Sequence, residues 1–252
     1  MSRSASKPGM TLVELLVVVA IVALLLSVLV PVVAHARQAA MRAVCMSNLY
    51  HVGRAVHTYA ADYRGSIPFG PTAPPVVITN FYLYTGHVTN LISLESGEPV
   101  GLGLLLDRYL DHQPQVIFCP ANDQPVMTEQ QIAAVGQRQV QSSYFYRHGS
   151  VVEFAYPPDT RHIDLHDLGE NRAGHPIRAL AMDANLLAPP SFAPFGIFTR
   201  TTHERRWVNA LYADNHVQTL DNADDAYTVD LATGAHQAPA RILGALERAD
   251  LQ

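Results

Sequence analysis

The fold turns on residues 10–34, MTLVELLVVVAIVALLLSVLVPVVA. From Leu15 to Val30 every position is apolar except Ser27, and a single carboxylate, Glu14, sits at the start of the run. The 25 residues from Met10 to Ala34 span about 37 Å as a helix, enough to cross a bilayer. A lone carboxylate inside such a segment costs roughly 2.5–3.5 kcal/mol on insertion, so Glu14 reads as a functional group that needs a partner. Ahead of the run lies a short basic, polar leader, MSRSASKPG, ending in Gly9.

The pattern continues beyond the membrane-length part. Met41, Cys45, Leu49, Val52, Val56, Tyr59 and Tyr63 recur at helical spacing and form one face, while Arg37, Gln38, Arg42, Ser47, Asn48 and Arg54 fall mostly off it. Gly65 with Pro68 just beyond marks the stop. A helix is therefore expected from about Thr11 to Tyr63. Pro31 should kink it or loosen a turn, and Gly53 should weaken it by about 1 kcal/mol relative to alanine.

The Gly9-Met10-Thr11-Leu12-Val13-Glu14 junction resembles the processing site of type IV pilins and type II secretion pseudopilins. The resemblance implies that a prepilin peptidase cuts after Gly9 and methylates the new amine of Met10, where the family often has phenylalanine. It also implies that Glu14 pairs with the α-amine of a neighbouring subunit during assembly. Physics agrees, since an amine and a carboxylate that both leave water can compensate each other. Further on, Cys45-Met46-Ser47-Asn48-Leu49, Gly53, Tyr59 to Tyr63 and Gly65 to Pro68 are similar to a large branch of pseudopilin-like proteins from planctomycete- and verrucomicrobia-type bacteria. Gly101 to Leu105, Phe118-Cys119-Pro120, Ser143 to Tyr146, His203 and Asn209 to Val217 extend that similarity in scattered matches. The branch usually reads Asp-Gly-His-Val at its last motif. Asn215 stands in for the glycine, and asparagine tolerates the left-handed turn conformation next best.

Three segments follow: a leader over 1–9, a transmembrane and spine helix over 10–64, and an extracytoplasmic globular domain over 65–252. Arg3 and Lys7 argue for a cytoplasmic leader, while Arg37 and Arg42 pull the other way. The resemblance decides for a single-pass protein of the inner membrane with its C-terminal part outside the cytoplasm. The expected function is a structural subunit of a pseudopilus or type IV pilus-like fibre, of a type II secretion type, and not an enzyme. Identical subunits, other pseudopilins, a prepilin peptidase and an inner-membrane assembly platform are the implied partners. The alternative is a secreted or membrane-anchored binding or enzymatic domain that uses the N-terminal run only as a signal or anchor. Ala34-His35-Ala36 would then be the cleavage site.

The fold class expected is α+β: the long helix packed on a mixed, mainly antiparallel sheet with short helices. Strands are predicted at Val76–Tyr84, Gln115–Phe118, Ser143–Tyr146 and Ile177–Met182. Short helices are predicted at Gly101–Leu110, Thr128–Val135 and Ala238–Asp250. Trp207–Ala213 and His216–Leu220 flank Asp214-Asn215, a two-residue turn signal, and read as a hairpin. Proline-rich stretches at Pro68–Pro75, Pro157-Pro158 and Pro189–Pro194 read as ordered surface connections.

Net charge is −5, and removal of Arg3 and Lys7 leaves −7, so no basic nucleic-acid footprint is present and no nucleic-acid partner is expected. Lys7 is the one lysine, which makes the α-amine the sole primary amine after cleavage. Cys45 and Cys119 are candidates for a disulfide from the helix to the segment Val116–Phe118, with two separate buried thiols as the other reading. His162 and His166 have the spacing of helical zinc ligands, with His175, Asp164, Asp167 and Glu170 nearby. Pro157, Pro158 and Gly169 favour a solvated loop, and His-Glu-x-x-His is absent. No metal ligands or cofactor are assigned. Asp221, Asp224, Asp225 and Asp230 are weak calcium candidates, raised a little because some pseudopilins carry calcium in a C-terminal loop. No nucleophile with an activating base and no phosphate-cradling glycine loop stands out.

Overall fold

The computed structural model describes residues 11–70, 88–148, 163–195, 197–233 and 238–252. The chain divides into two units, Met1–Met41 and Arg42–Gln252.

Helix α1 runs over Leu12–Asp62, within a residue of each expected end, and it continues unbroken through Pro31. In the first unit its apolar side chains are exposed all round, Leu12, Leu16, Leu24 and Val30 among them. Exposed apolar surface of that extent is typical of segments that meet lipid or other chains, and α1 is long and apolar enough to cross a membrane. Ser27 Oγ donates to the Leu24 carbonyl at 2.7 Å, so the one hydroxyl of the run is satisfied within the helix.

In the second unit α1 is amphipathic. Cys45, Leu49, Val52, Val56 and Tyr59 of the expected stripe are buried, together with Gly53, Ala55 and Ala60. Tyr63 is exposed, so the stripe ends earlier than its spacing suggests. The helix ends where Arg64 and Gly65 take positive φ of 56° and 88° and the Gly65 amide returns to the Ala60 carbonyl at 2.8 Å.

The buried stripe packs on a five-stranded sheet of order β1-β2-β3-β5-β6. Its strands are β1 (Val88–Ser93), β2 (Val140–Arg147), β3 (Ala179–Asp183), β5 (Trp207–Tyr212) and β6 (Val217–Asp221), and every neighbouring pair is antiparallel. A parallel pair, β4 (Asn185–Leu187) with β7 (Thr228–Asp230), lies outside it. β2 and β3 are buried along their whole length, as central strands covered on both faces must be. Tyr144, Tyr146, Asn209 and Leu211 look toward α1. By the two-residue alternation of a strand, Phe145, Arg147, Val208 and Tyr212 look toward the opposite face. That face is covered by helix α3 (Ala238–Ala249), which buries Ile242, Leu243, Ala245, Leu246 and Ala249. The architecture is α+β, as the sequence predicts.

Arg147 and Asp250 join that second layer to the sheet. Asp250 is fully buried as a side chain, takes the Arg147 guanidinium at 3.0 Å, and accepts the amides of Arg178 and Ala179 and the Asn171 amide group. Each carboxylate oxygen thus has several donors, which is what a buried charge needs.

Several expected elements shift. Gln115–Phe118 is not a strand: Pro114–Ile117 forms a 3-10 turn opened by the proline, and only Phe118 is extended. The helix expected at Gly101–Leu110 is a 3-10 turn over Gly101–Leu105 followed by turns. Helix α2 covers Pro125–Ala134, with Pro125 in its first turn. The expected strand Val76–Tyr84 and Pro157-Pro158 lie outside the described residues. Pro190–Phe195, in the last of the proline-rich stretches, is a 3-10 turn.

Candidate functional site

Two places carry chemistry, one in each unit. The first is the start of α1. Gly9 and Met10 lie outside the described residues, but Thr11 and Glu14 do not. The Thr11 amide and hydroxyl both donate to Glu14 Oε2 at 2.8 Å, and the Glu14 amide donates back to Thr11 Oγ1 at 3.2 Å. This is a reciprocal capping box: two orphan amides of the first turn are satisfied by each other's side chains. The Thr-x-x-Glu spacing announces it in the sequence, where Glu14 otherwise reads only as a charge awaiting a partner. In a single chain the carboxylate is therefore held in place by its own helix.

The second place is the seam between α1 and the sheet. Cys45 and Cys119 are joined in a disulfide, with Cα atoms 5.1 Å apart and 74 residues of sequence separation. One turn on, Asn48 Nδ2 donates to the Phe118 carbonyl at 3.3 Å. Farther along, Gly53 lies against Leu211 and Asn215, and His57 Nε2 meets the Ala213 carbonyl at 2.9 Å. Phe118-Cys119 and Leu211 to Asn215, far apart in sequence, thus meet α1 along one seam.

A polar row crosses the sheet under that seam. Tyr144 on β2 pairs with Asp183 on β3, Asn209 follows on β5, and Asn209 pairs with Thr219 on β6. Asp183 Oδ2 accepts the Asn209 amide at 2.7 Å and Nδ2 at 2.9 Å. Thr219 Oγ1 donates to Asn209 Oδ1 at 2.7 Å and touches Met46 Sδ at 3.4 Å. Burial, then the nearby Asp183 carboxylate, push the Tyr144 hydroxyl well above its usual range, so it stays protonated.

His203 sits at the end of this row. Its Nε2 is 3.5 Å from Cys119 Sγ, 3.2 Å from Asp183 Oδ2 and 3.1 Å from Asn209 Nδ2. His203, Glu204 and Arg205 all have positive φ, 53°, 53° and 60°. Consecutive left-handed residues without glycine are strained by of order 1–3 kcal/mol each, and persist only where the surroundings over-determine them. Here the Thr202 amide donates to Asn185 Oδ1 at 2.9 Å, the His203 amide to the Ala121 carbonyl, and Thr201 Oγ1 to Asp123 Oδ2 at 2.7 Å.

The remaining candidates do not converge. Asp221 Oδ1 accepts the Ala223 amide, Asp224 is exposed, and Asp225 pairs with Arg205 at 3.5 Å on the surface. His166 and His175 are exposed on turns closed by Asp164 Oδ1 and Asn171 Oδ1, and His162 lies outside the described residues. Among the described residues, the ligand-type atoms that do converge are those of Cys45, Cys119 and His203, which the sequence reading did not group.

The family model for the prokaryotic N-terminal methylation motif matches residues 5–30, which fits a type IV pilin-like or pseudopilin chain. No curated protein and no solved structure matches the chain.

Proposed function

We propose that a chain with this methylation motif is a structural subunit of a pseudopilus or type IV pilus-like fibre. It is processed by a prepilin peptidase after Gly9 and methylated at Met10. The observation that carries the reading is the motif over residues 5–30. The apolar first half of α1 supports it, because no described residue covers those side chains.

In this reading the helix first anchors the chain in the inner membrane, with the second unit outside the cytoplasm. It then leaves lipid to pack against the same helix of other subunits. Apolar contact replaces lipid contact, and the Glu14 carboxylate exchanges part of its capping box for the methylated amine of a neighbour. The globular unit sets lateral contacts and displays a surface, so the chain acts as a building block and not as an enzyme. A type II secretion-type system, with other pseudopilins and an assembly platform, is the setting proposed.

Intact-mass and N-terminal peptide analysis of the protein from its native membrane tests the processing step. A chain starting at methylated Met10 is expected. A chain starting near Arg37, or one that keeps Met1, overturns the reading in favour of a secreted or anchored domain. Glu14→Ala is expected to insert but to be missing from sheared fibres.

A further inference from the structure

Three buried ligand-type side chains converge where α1 crosses the sheet, Cys45, Cys119 and His203, and the buried Asp183 lies against His203. The sulfurs and the His203 nitrogen lie within 4.8 Å of one another. His203 Nε2 is 3.5 Å from Cys119 Sγ and 3.2 Å from Asp183 Oδ2. Asp183 Oδ1 is buried and has no hydrogen-bond partner among the described residues, although the other oxygen holds two bonds from Asn209.

These separations have a chemical meaning. Around tetrahedral zinc, with bonds of ~2.0–2.3 Å, neighbouring ligand atoms stand about 3.3–3.8 Å apart. The sulfur-to-nitrogen and nitrogen-to-oxygen distances are already close to edges of such a tetrahedron. The two sulfurs stand closer, because they are bonded. Two thiolates, an imidazole and a carboxylate are ligands that zinc accepts, and thiolates disfavour hard cations such as calcium.

We propose that this cluster is an exchangeable clasp: a disulfide when oxidised, and when both thiols are free a zinc site formed by Cys45, Cys119 and His203, with Asp183 drawn in from beside His203 as the fourth ligand. In the exchange a dithiol gives two electrons and two protons to the Cys45–Cys119 bond and closes to its own cyclic disulfide. Zinc then binds as the two thiol protons leave to solvent. The dication offsets both thiolates and leaves one net negative charge, on a carboxylate that Asn209 already solvates. The link from α1 to the Cys119 turn thus survives in either state. This inference is independent of the fibre reading, since it concerns the second unit alone.

The test uses the full chain in detergent, reduced with a phosphine that takes oxygen from water to become a phosphine oxide. Cobalt(II) is titrated in as a spectroscopic probe and then displaced by zinc. The reduced chain is expected to bind one equivalent, with thiolate-to-cobalt charge-transfer bands and the intense visible bands of a tetrahedral site, while the oxidised chain binds none. His203→Ala is expected to weaken binding at least tenfold. A folded reduced chain that binds no ion overturns the proposal. So does equal affinity in wild type, His203→Ala and Asp183→Asn, which would mean loose chelation by thiols. If reduction unfolds the second unit by circular dichroism, zinc must restore the signal, and failure to do so counts against the site.

Discussion

Gly53 on α1 and Asn215 at the tip of the β5–β6 hairpin occupy each other's space: a Cβ on Gly53 would fall on the Asn215 side-chain oxygen and come within 2.8 Å of Leu211. Helix propensity alone favours alanine at position 53 by about 1 kcal/mol. The packing reverses the sign. Gly53→Ala is expected to destabilise the second unit by about 1–3 kcal/mol, read as a lower denaturant midpoint for the detergent-solubilised chain. A midpoint that rises would mean the hairpin moves aside freely.

Glu14 has two roles that one substitution separates. Glutamine can still serve the capping box with Thr11 but carries no charge. Under the fibre reading, Glu14→Gln keeps the helix start and still fails to enter sheared fibres. Thr11→Val weakens the cap and keeps the charge, so incorporation is expected to persist. The reverse pattern would assign Glu14 to capping alone.

Asp250→Ala leaves the Arg147 guanidinium buried without its carboxylate. A loss of about 3–5 kcal/mol is expected, measured by chemical denaturation. A loss under 1 kcal/mol would mean that water reaches Arg147.

The Cys45–Cys119 bond closes a long loop. The chain-entropy model gives it roughly 4 kcal/mol, so the double variant Cys45→Ser, Cys119→Ser should unfold at a clearly lower temperature in metal-free buffer. An unchanged midpoint would show that the seam of Asn48, Gly53 and His57 suffices without the bond.

Arg172 and Glu247 tie the 171–175 turn to α3, with Arg172 Nη2 2.6 Å from Glu247 Oε2. Burial raises the Glu247 carboxyl, but the Arg172 amide and guanidinium outweigh it and hold the group below its ordinary 4.5. A depressed carboxylate stabilises the fold above its unfolded value and loses that contribution as pH falls through the folded one. Glu247→Gln should therefore lower stability near neutral pH by no more than about 1 kcal/mol, since Arg172 is partly exposed. The gap from wild type should close in acid. Melting curves of both chains from neutral to acidic pH check it; a constant gap would point to lost packing instead.

Long-period patterns were the legible part of the fold. The extent of α1, the hairpin and α3 all follow from spacing and turn chemistry. Even the hairpin differs in detail, because its loop takes three residues, Ala213 to Asn215, with Asn215 at φ 70° closing it instead of a two-residue turn. Gln115–Phe118 failed because a short apolar run does not announce a strand once Pro114 starts a turn. The Asp183–His203 pair is invisible in the sequence: His203 stands out there only as one match of the resemblance and Asp183 not at all, and only β3–β5 pairing and the left-handed turn at 203–205 bring them together. Conversely, the Thr11-x-x-Glu14 spacing is itself a capping-box signature, legible without the structure.

The disulfide also determines how the chain bears load. Tension applied between the start of α1 and any point beyond Cys119 passes directly from Cys45 to Cys119, so residues 46–118 are bypassed. At roughly 3.4 Å per extended residue, about 250 Å of contour length stays out of reach of a steady pull. Breaking the bond under tension would release that hidden length.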